Sequence, residues 1–265
     1  MDKRLTILGC GSAMPTIQNN PSGQILEMCE KLFLIDCGEG TQNTMRQLAC
    51  RTARLYNIFI SHLHGDHCFG LIGLLSTWGM MNRTQDVHIY AHKDLETLLK
   101  PLLDYHCQGM NYSIIFHAID PKKHAVIYED RTLTVTTIPL RHSVPTCGFF
   151  FEEKPRRIHQ ETGAKPFQYA YCSDTGYKPA ICKWIQGADV LYHESTYTEE
   201  YREAADRYQH STAKQAAKIA KKAGVKQLII GHFSARIIDQ TLFLKEAQTV
   251  FENTILGKDK TTYEL

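Results

Sequence analysis

The sequence predicts an α/β layered protein, and three observations carry that prediction. Short apolar runs with strand character are interspersed with helix-patterned segments in both halves of the chain. Several of those runs end directly in histidine or aspartate, where binding residues of layered α/β proteins collect. The chain has 265 residues, 43% hydrophobic and 22% charged, enough to bury a sizeable core. Residues 1–265 are therefore expected to form a single domain or two intimate halves.

Strand character comes early. Leu5–Leu8 leads into Gly9, Gln24–Met28 precedes a short turn, and Lys31–Ile35 runs into Asp36-Cys37-Gly38. Gly40–Ala49 reads as helix, Ile58–Ile60 as a buried strand ending at Ser61-His62, and Cys68–Met80 as helix. Val87–Tyr90, Ala125–Tyr128 and Leu133–Ile138 are strand-like. Leu133–Thr137 alternates apolar residues with threonine, the half-buried pattern. Phe149–Phe151 and Tyr169–Cys172 flank a charged stretch, Glu152–Lys165, which holds Pro155 and Gly163 and reads as a surface loop. Val190–Tyr192 and Gln227–Ile230 are strands. Ala213–Ala223 is a helix with Ser211 or Thr212 as N-cap and Gly224 past its end, and Asp239–Phe251 is the last strong helix. No internal repeat stands out.

Thirty basic and 28 acidic residues give a formal charge of +2. That balance neither demands nor excludes a nucleic-acid partner, so any binding surface must be local. No two of the nine cysteines stand three apart, which points to free thiols in a reducing cytosol. Met1–Gly9 holds no long apolar core of a signal peptide, and Cys68–Met81, the longest apolar stretch, is too short to span a bilayer. A soluble, cytoplasmic protein with no membrane partner is expected.

The strongest chemical signal is Ser61-His62-Leu63-His64-Gly65-Asp66-His67. His62 and His64, two apart, point to the same side of an extended segment. Gly65 permits a sharp turn, and Asp66 and His67 fall near the start of the following helix. Neutral imidazoles suit zinc, and a carboxylate beside them adds charge. One motif cannot close a two-metal site. His142 follows the Leu133–Leu140 run, Asp174 follows Tyr169–Cys172, and His232 follows Gln227–Ile230. Each alone reads as an ordinary structural residue; their shared placement at strand ends makes them ligand candidates.

This set resembles the metallo-β-lactamase superfamily, whose hallmark is HxHxDH followed by later His, Asp and His ligands. Within it the chain resembles the ribonuclease Z family, on Leu34–Gln42, His62–His67, Ser173-Asp174-Thr175, His193-Glu194-Ser195-Thr196, His210-Ser211-Thr212 and Gly231–Arg236. The resemblance implies a four-layer αββα sandwich and two Zn2+ per subunit, with Mn2+ or Fe2+ as alternatives. His62, His64 and His142 would hold one metal, Asp66, His67 and His232 the other, with Asp174 bridging. Asp36 and His193 would orient ligands. Glu194 would orient His210, the general acid, and Asp66 would take a proton from the attacking water. The implied activity is removal of the 3′ trailer from precursor tRNA by metal-activated hydroxide, in a homodimer. On the same site, the alternative is a phosphodiesterase for a smaller substrate.

Two departures from the family pattern bear on substrate. The family's Pro-x-Lys-x-Arg-Asn loop is here Pro15–Asn20, with Ile17 and Asn19 at the two cationic positions. Only residues 143–173 separate His142 from Asp174, so a shortened loop near residues 152–167 stands where a tRNA-clamping arm is common. Arg156 and Arg157 in that loop, and Arg236 beyond His232, are candidates for phosphate contact. Lys214, Lys218, Lys221 and Lys222 read first as a solvated helix face.

Overall fold

The apolar runs become strands of two seven-stranded mixed sheets. Residues 3–265 are described by the computed structural model. They divide into two units, one reaching to Asp120 and adding Lys258–Leu265, the other Pro121–Gly257.

The first unit holds β1 (Arg4–Gly9), β2 (Gly23–Met28), β3 (Lys31–Cys37), β4 (Leu55–Phe59), β5 (Val87–His92) and β6 (Ile114–Ile119). Its last strand in the chain, β14 (Thr261–Glu264), pairs with β1, giving the order β14-β1-β2-β3-β4-β5-β6. Pairing is antiparallel from β14 to β3 and parallel from β3 to β6. Cys29-Glu30, both with positive φ, close the two-residue β2–β3 hairpin. Paired positive φ angles match the turn to the strands' right-handed twist. The parallel strands need crossovers, supplied by α1 (Thr41–Gln47), α2 (Gly65–Cys68), α3 (Gly70–Met80) and α4 (Asp94–His106). Leu71, Leu74, Leu75 and Trp78 of α3 and Leu95, Leu99 and Leu103 of α4 join Leu34, Ile58 and Ile89 in one buried cluster.

The second unit holds β7 (Val126–Glu129), β8 (Leu133–Pro139), β9 (Cys147–Glu153), β10 (Gln168–Cys172), β11 (Val190–Glu194), β12 (Gln227–Gly231) and β13 (Thr254–Leu256), in the order β13-β12-β11-β10-β9-β8-β7. Pairing is antiparallel from β7 to β10 and parallel from β10 to β13. The first sheet repeats this sequence of pairings, a likeness that the two amino-acid sequences do not show. Helices α5 (Arg157–Thr162), α6 (Arg202–Tyr208), α7 (Ala213–Ala223) and α8 (Thr241–Gln248) complete the unit. Helix α7 has the bounds read from sequence: Thr212 caps its first turn, reciprocated by Gln215, and Gly224 ends it in the left-handed conformation.

Periodicity did not reveal α4, β6, α5, α6, β13 and β14. Pro101 lies inside α4 and interrupts its pattern. Strand β14 alternates half-buried with exposed residues and carries little apolar signal. The segment read as a loop begins as strand, through Glu153, and then forms α5. Among the described residues no helix is long and apolar enough to cross a membrane.

All nine cysteines are free; eight are buried and Cys50 is half-buried. Burial pushes the Cys68 thiol up to about 11 and the Cys37 thiol further still. Only thiolate reacts with alkylating reagents. At pH 8, folded protein treated with iodoacetamide should therefore gain one fast adduct, at Cys50, with the other thiols at least about 10-fold slower. Intact-mass spectrometry over time reads this directly, and several fast adducts would contradict the burial.

Candidate metal centre

Most of the chemistry-bearing residues lie at the C-terminal ends of the parallel strands of each unit, where open α/β sheets bind their ligands; His142 instead follows the antiparallel strand β8. In the first unit Asp36 is the penultimate residue of β3, fully buried and in the left-handed conformation (φ 57°). Asp36 Oδ1 accepts from the Ser61 N–H at 2.8 Å; Oδ2 accepts from Ser61 Oγ at 2.9 Å and His67 Nδ1 at 2.7 Å. Ser61 Oγ is also 3.1 Å from His62 Nδ1. These bonds turn the Nε2 edges elsewhere: His62 Nε2 lies 3.1 Å from His64 Nδ1, and His67 Nε2 lies 3.6 Å from Asp66 Oδ2. As read from sequence, Asp66 and His67 sit in the short helix α2 that follows the strand. Asp66 Oδ2 also accepts from the Ala13 N–H at 2.7 Å, which ties the loop after β1 to the motif.

Two glycines serve close packing here. A Cβ on Gly38 would lie 2.4 Å from the Asp66 carbonyl oxygen, so the end of β3 reaches α2 only without a side chain. Gly65 was expected to relieve a sharp turn. It instead occupies the first turn of α2, where a Cβ would lie 2.3 Å from the Phe69 ring. Its backbone is helical, and a Cβ there would only require the exposed Phe69 ring to move.

The second unit builds around Glu194, the last residue of β11, which is fully buried. Its Oε1 accepts from Thr175 N–H (3.0 Å), Ser211 N–H (3.0 Å) and His210 Nδ1 (2.9 Å). Its Oε2 accepts from Thr196 N–H and Thr196 Oγ1, each at 2.9 Å. Burial alone would raise this carboxyl, but the charge and hydrogen bond of His210 outweigh it, and the net shift is downward. Asp174, two residues past β10, divides its oxygens: Oδ1 is 3.2 Å from His232 Nε2, and Oδ2 is 3.7 Å from His142 Nε2. His232 Nδ1 is held at 2.9 Å by Thr196 Oγ1, and His142 Nδ1 donates to the Gln209 carbonyl at 3.1 Å. Donor atoms of Asp174, His210 and His232 all lie within 4.8 Å of one another.

The donor chemistry fits a divalent metal in both units. Zinc–nitrogen and zinc–oxygen bonds of about 2.0–2.1 Å place neighbouring tetrahedral ligand atoms roughly 3.3 Å apart. The contacts His62–His64, His67–Asp66, His142–Asp174 and His232–Asp174, at 3.1 to 3.7 Å, bracket that edge length. Oriented imidazoles backed by carboxylate, hydroxyl or carbonyl oxygen are the usual surroundings of metal ligands.

The remaining residues singled out from sequence lie as follows. His193 is buried, with Nδ1 2.6 Å from the Glu194 carbonyl oxygen. Arg156 is paired with Glu153 at 3.1 Å and Arg157 with Glu161 at 2.6 Å. Arg236 is exposed, with its backbone N–H 3.4 Å from Ser234 Oγ. Lys218, Lys221 and Lys222 lie on the exposed face of α7. Sequence reasoning assigned no role to Ser61, Thr196 or the Gln209 carbonyl. The first two adjoin residues it did name; Gln209 precedes His210 in a left-handed conformation (φ 58°) that no sequence signal marks.

Comparison with known proteins places this geometry. The family model described as Beta-lactamase superfamily domain matches residues 31–233. Ribonuclease Z of Bacteroides fragilis (strain ATCC 25285) is 45% identical over 96% of each chain. Ribonuclease Z of Porphyromonas gingivalis (strain W83) is 42% identical over 98% of each. The crystal structure of the short form of human tRNase Z superposes with a TM-score of 0.82 at 26% identity, covering 98% of both chains.

Proposed function

This chain belongs to the ribonuclease Z family and has the metallo-β-lactamase fold, and on that footing we propose that it is the metal-dependent endonuclease that cuts the 3′ trailer from precursor tRNA. The observation that carries the reading is the Glu194–His210 pair beside Asp174 and His232. A hydrolase of a poor leaving group needs an acid, and that pair offers one next to metal-ligand chemistry.

We assign His62, His64 and His142 to one metal, Asp66, His67 and His232 to the other, and Asp174 to both. Zinc suits this nitrogen-rich set best; Mn2+ or Fe2+ would accept the same donors. When bound, the metals neutralise phosphoryl charge and lower the pKa of a water, towards roughly 7 in the best zinc sites. The chain's own residues do the rest. Asp66, held by the Ala13 N–H, takes the proton of the attacking water. Glu194 anchors His210 through Nδ1, so the Nε2 proton passes to the departing 3′ oxygen. The products are a tRNA ending in a 3′-hydroxyl and a trailer bearing a 5′-phosphate. Exposed Arg236 is assigned to substrate phosphate. Arg156 and Arg157 must exchange their carboxylate partners to join it.

The test is cleavage of a precursor tRNA with a 3′ trailer by metal-replete protein, with Asp66→Ala and bis(p-nitrophenyl) phosphate in parallel. Specific cutting, lost by at least about 10³-fold in the variant, is expected. Hydrolysis of the small diester without tRNA cleavage would favour the second reading, a phosphodiesterase for smaller substrates. The short α5 segment and its carboxylate-paired arginines are what speak for it.

Nine free thiols accord with a reducing cytoplasm. For a homodimer, the apolar stripe on α4 is the proposed surface: Leu98, Leu102 and Tyr105 are 60%, 42% and 77% exposed and lie at helical spacing. Leu98→Glu with Leu102→Glu should weaken self-association by about 100-fold or more, read by light scattering. A wild-type monomer would refute the assignment.

A further inference from the structure

The two units carry the same four-group device. In the first, Asp36 binds His67 directly and reaches His62 through Ser61 Oγ. In the second, Glu194 binds His210 directly and reaches His232 through Thr196 Oγ1. Each device hangs on one buried carboxylate at the end of a parallel strand, β3 or β11.

The hydrogen count decides how each device is wired. A hydroxyl has one hydrogen, and an ionised carboxylate only accepts. Ser61 Oγ donates to Asp36 Oδ2 at 2.9 Å, so it accepts from His62 at 3.1 Å. Thr196 Oγ1 donates to Glu194 Oε2 at 2.9 Å, so it accepts from His232 at 2.9 Å. The second imidazole of each device does not change this. His67 Nδ1 and His210 Nδ1 have the carboxylates themselves as closer acceptors, at 2.7 and 2.9 Å. His62 and His232 are thereby set with the proton on Nδ1 and the lone pair on Nε2, the edge that faces His64 in one unit and Asp174 in the other.

We propose that Ser61 and Thr196 are positioning residues that fix the metal-binding tautomer of His62 and His232, each hydroxyl governing the affinity of a different one of the two metals. This rests on the metal assignment above. Neither side chain touches substrate in this scheme; each acts through its imidazole. Replacing Thr196 by valine keeps shape but removes both the acceptor for His232 and a donor to Glu194. Serine keeps both.

The test is zinc affinity, measured by competition with a chromophoric chelator, together with bound-zinc stoichiometry. Wild type is expected to bind two equivalents. Thr196→Val should weaken one equivalent by about 10- to 100-fold, and Thr196→Ser should hold the wild-type value. Ser61→Ala should weaken the other equivalent by a similar factor, and the double variant should weaken both. Thermal unfolding of the metal-free proteins separates loss of fold from loss of affinity. If wild type binds no zinc, the metal reading itself fails. If it binds two and Thr196→Val matches it, or Thr196→Ser is as weak as Thr196→Val, the positioning role is overturned.

Discussion

His210→Ala is expected to lower turnover of precursor tRNA by about 10²- to 10⁴-fold, the usual contribution of a general acid, if the proposed role holds, while the proposed metals stay bound. The departing 3′ oxygen of a ribose is a strongly basic alkoxide, so its expulsion needs a proton in the transition state. A p-nitrophenolate leaves without one. The same variant should therefore lose far less activity on bis(p-nitrophenyl) phosphate. That split tests the role independently of folding, because a collapsed site would lose both activities together. The geometry also offers a competing role, since a His210 ring nitrogen lies within reach of Asp174 and His232. Loss of a metal equivalent in His210→Ala would make it a ligand instead of the acid. Its Nδ1 contact with Glu194 at 2.9 Å, closer than the 3.9 Å to Asp174, favours the acid.

Glu194→Gln should be the most destabilising single substitution at the site. All five hydrogen bonds to this carboxylate come from donors, three on one oxygen and two on the other. A glutamine must turn its NH2 toward one of those sets, leaving buried donors facing a donor. Removing one partner of a buried charged network costs about 3–5 kcal/mol, which denaturant unfolding would register. The pH dependence follows in sign. The folded carboxyl lies below its ordinary value, with burial raising it and His210 more than offsetting that. Its stabilisation is thus fully present above the ordinary carboxylate range and is lost as pH falls through the lowered value. The variant should show a flatter acid limb than wild type. An unchanged limb would mean that Glu194 is not ionised in the folded state.

Much of this was legible in the sequence, for identifiable reasons. Strands β3, β4, β10 and β12 were found because buried parallel strands read as unbroken apolar runs. Asp174 and His232 were singled out as ligand candidates because they follow such runs directly, and His142 because it follows the half-buried run of β8. The bounds of α7 were legible because Thr212, Gln215 and Gly224 carry cap chemistry in their side chains. What stayed hidden has no side-chain signature. The left-handed backbone at Asp36, Gln209 and His232 is worn by residues that adopt it uncommonly. The likeness of the two sheets lies in pairing order, not in residues. Ser61 and Thr196 are ordinary hydroxyls until their neighbours are in place, and Arg156 and Arg157 looked open to phosphate until Glu153 and Glu161 met them.

The closing strand of the first sheet has a consequence for how the chain is made. Strands β1 to β6 leave the ribosome first, yet β14 pairs with β1 only after residues 261–264 are synthesised. Asp259 just before it accepts from the Cys10 and Asn20 N–H groups at 2.9 and 2.6 Å, so the loop after β1 also waits for residue 259. The second unit is continuous in sequence and can complete its own sheet earlier. During that interval the nascent protein carries an open strand edge at β1, and an unpaired edge is a template for pairing with a neighbouring chain. Translation products stalled before residue 261 should therefore aggregate through the amino-terminal half, although the strand they lack is β14.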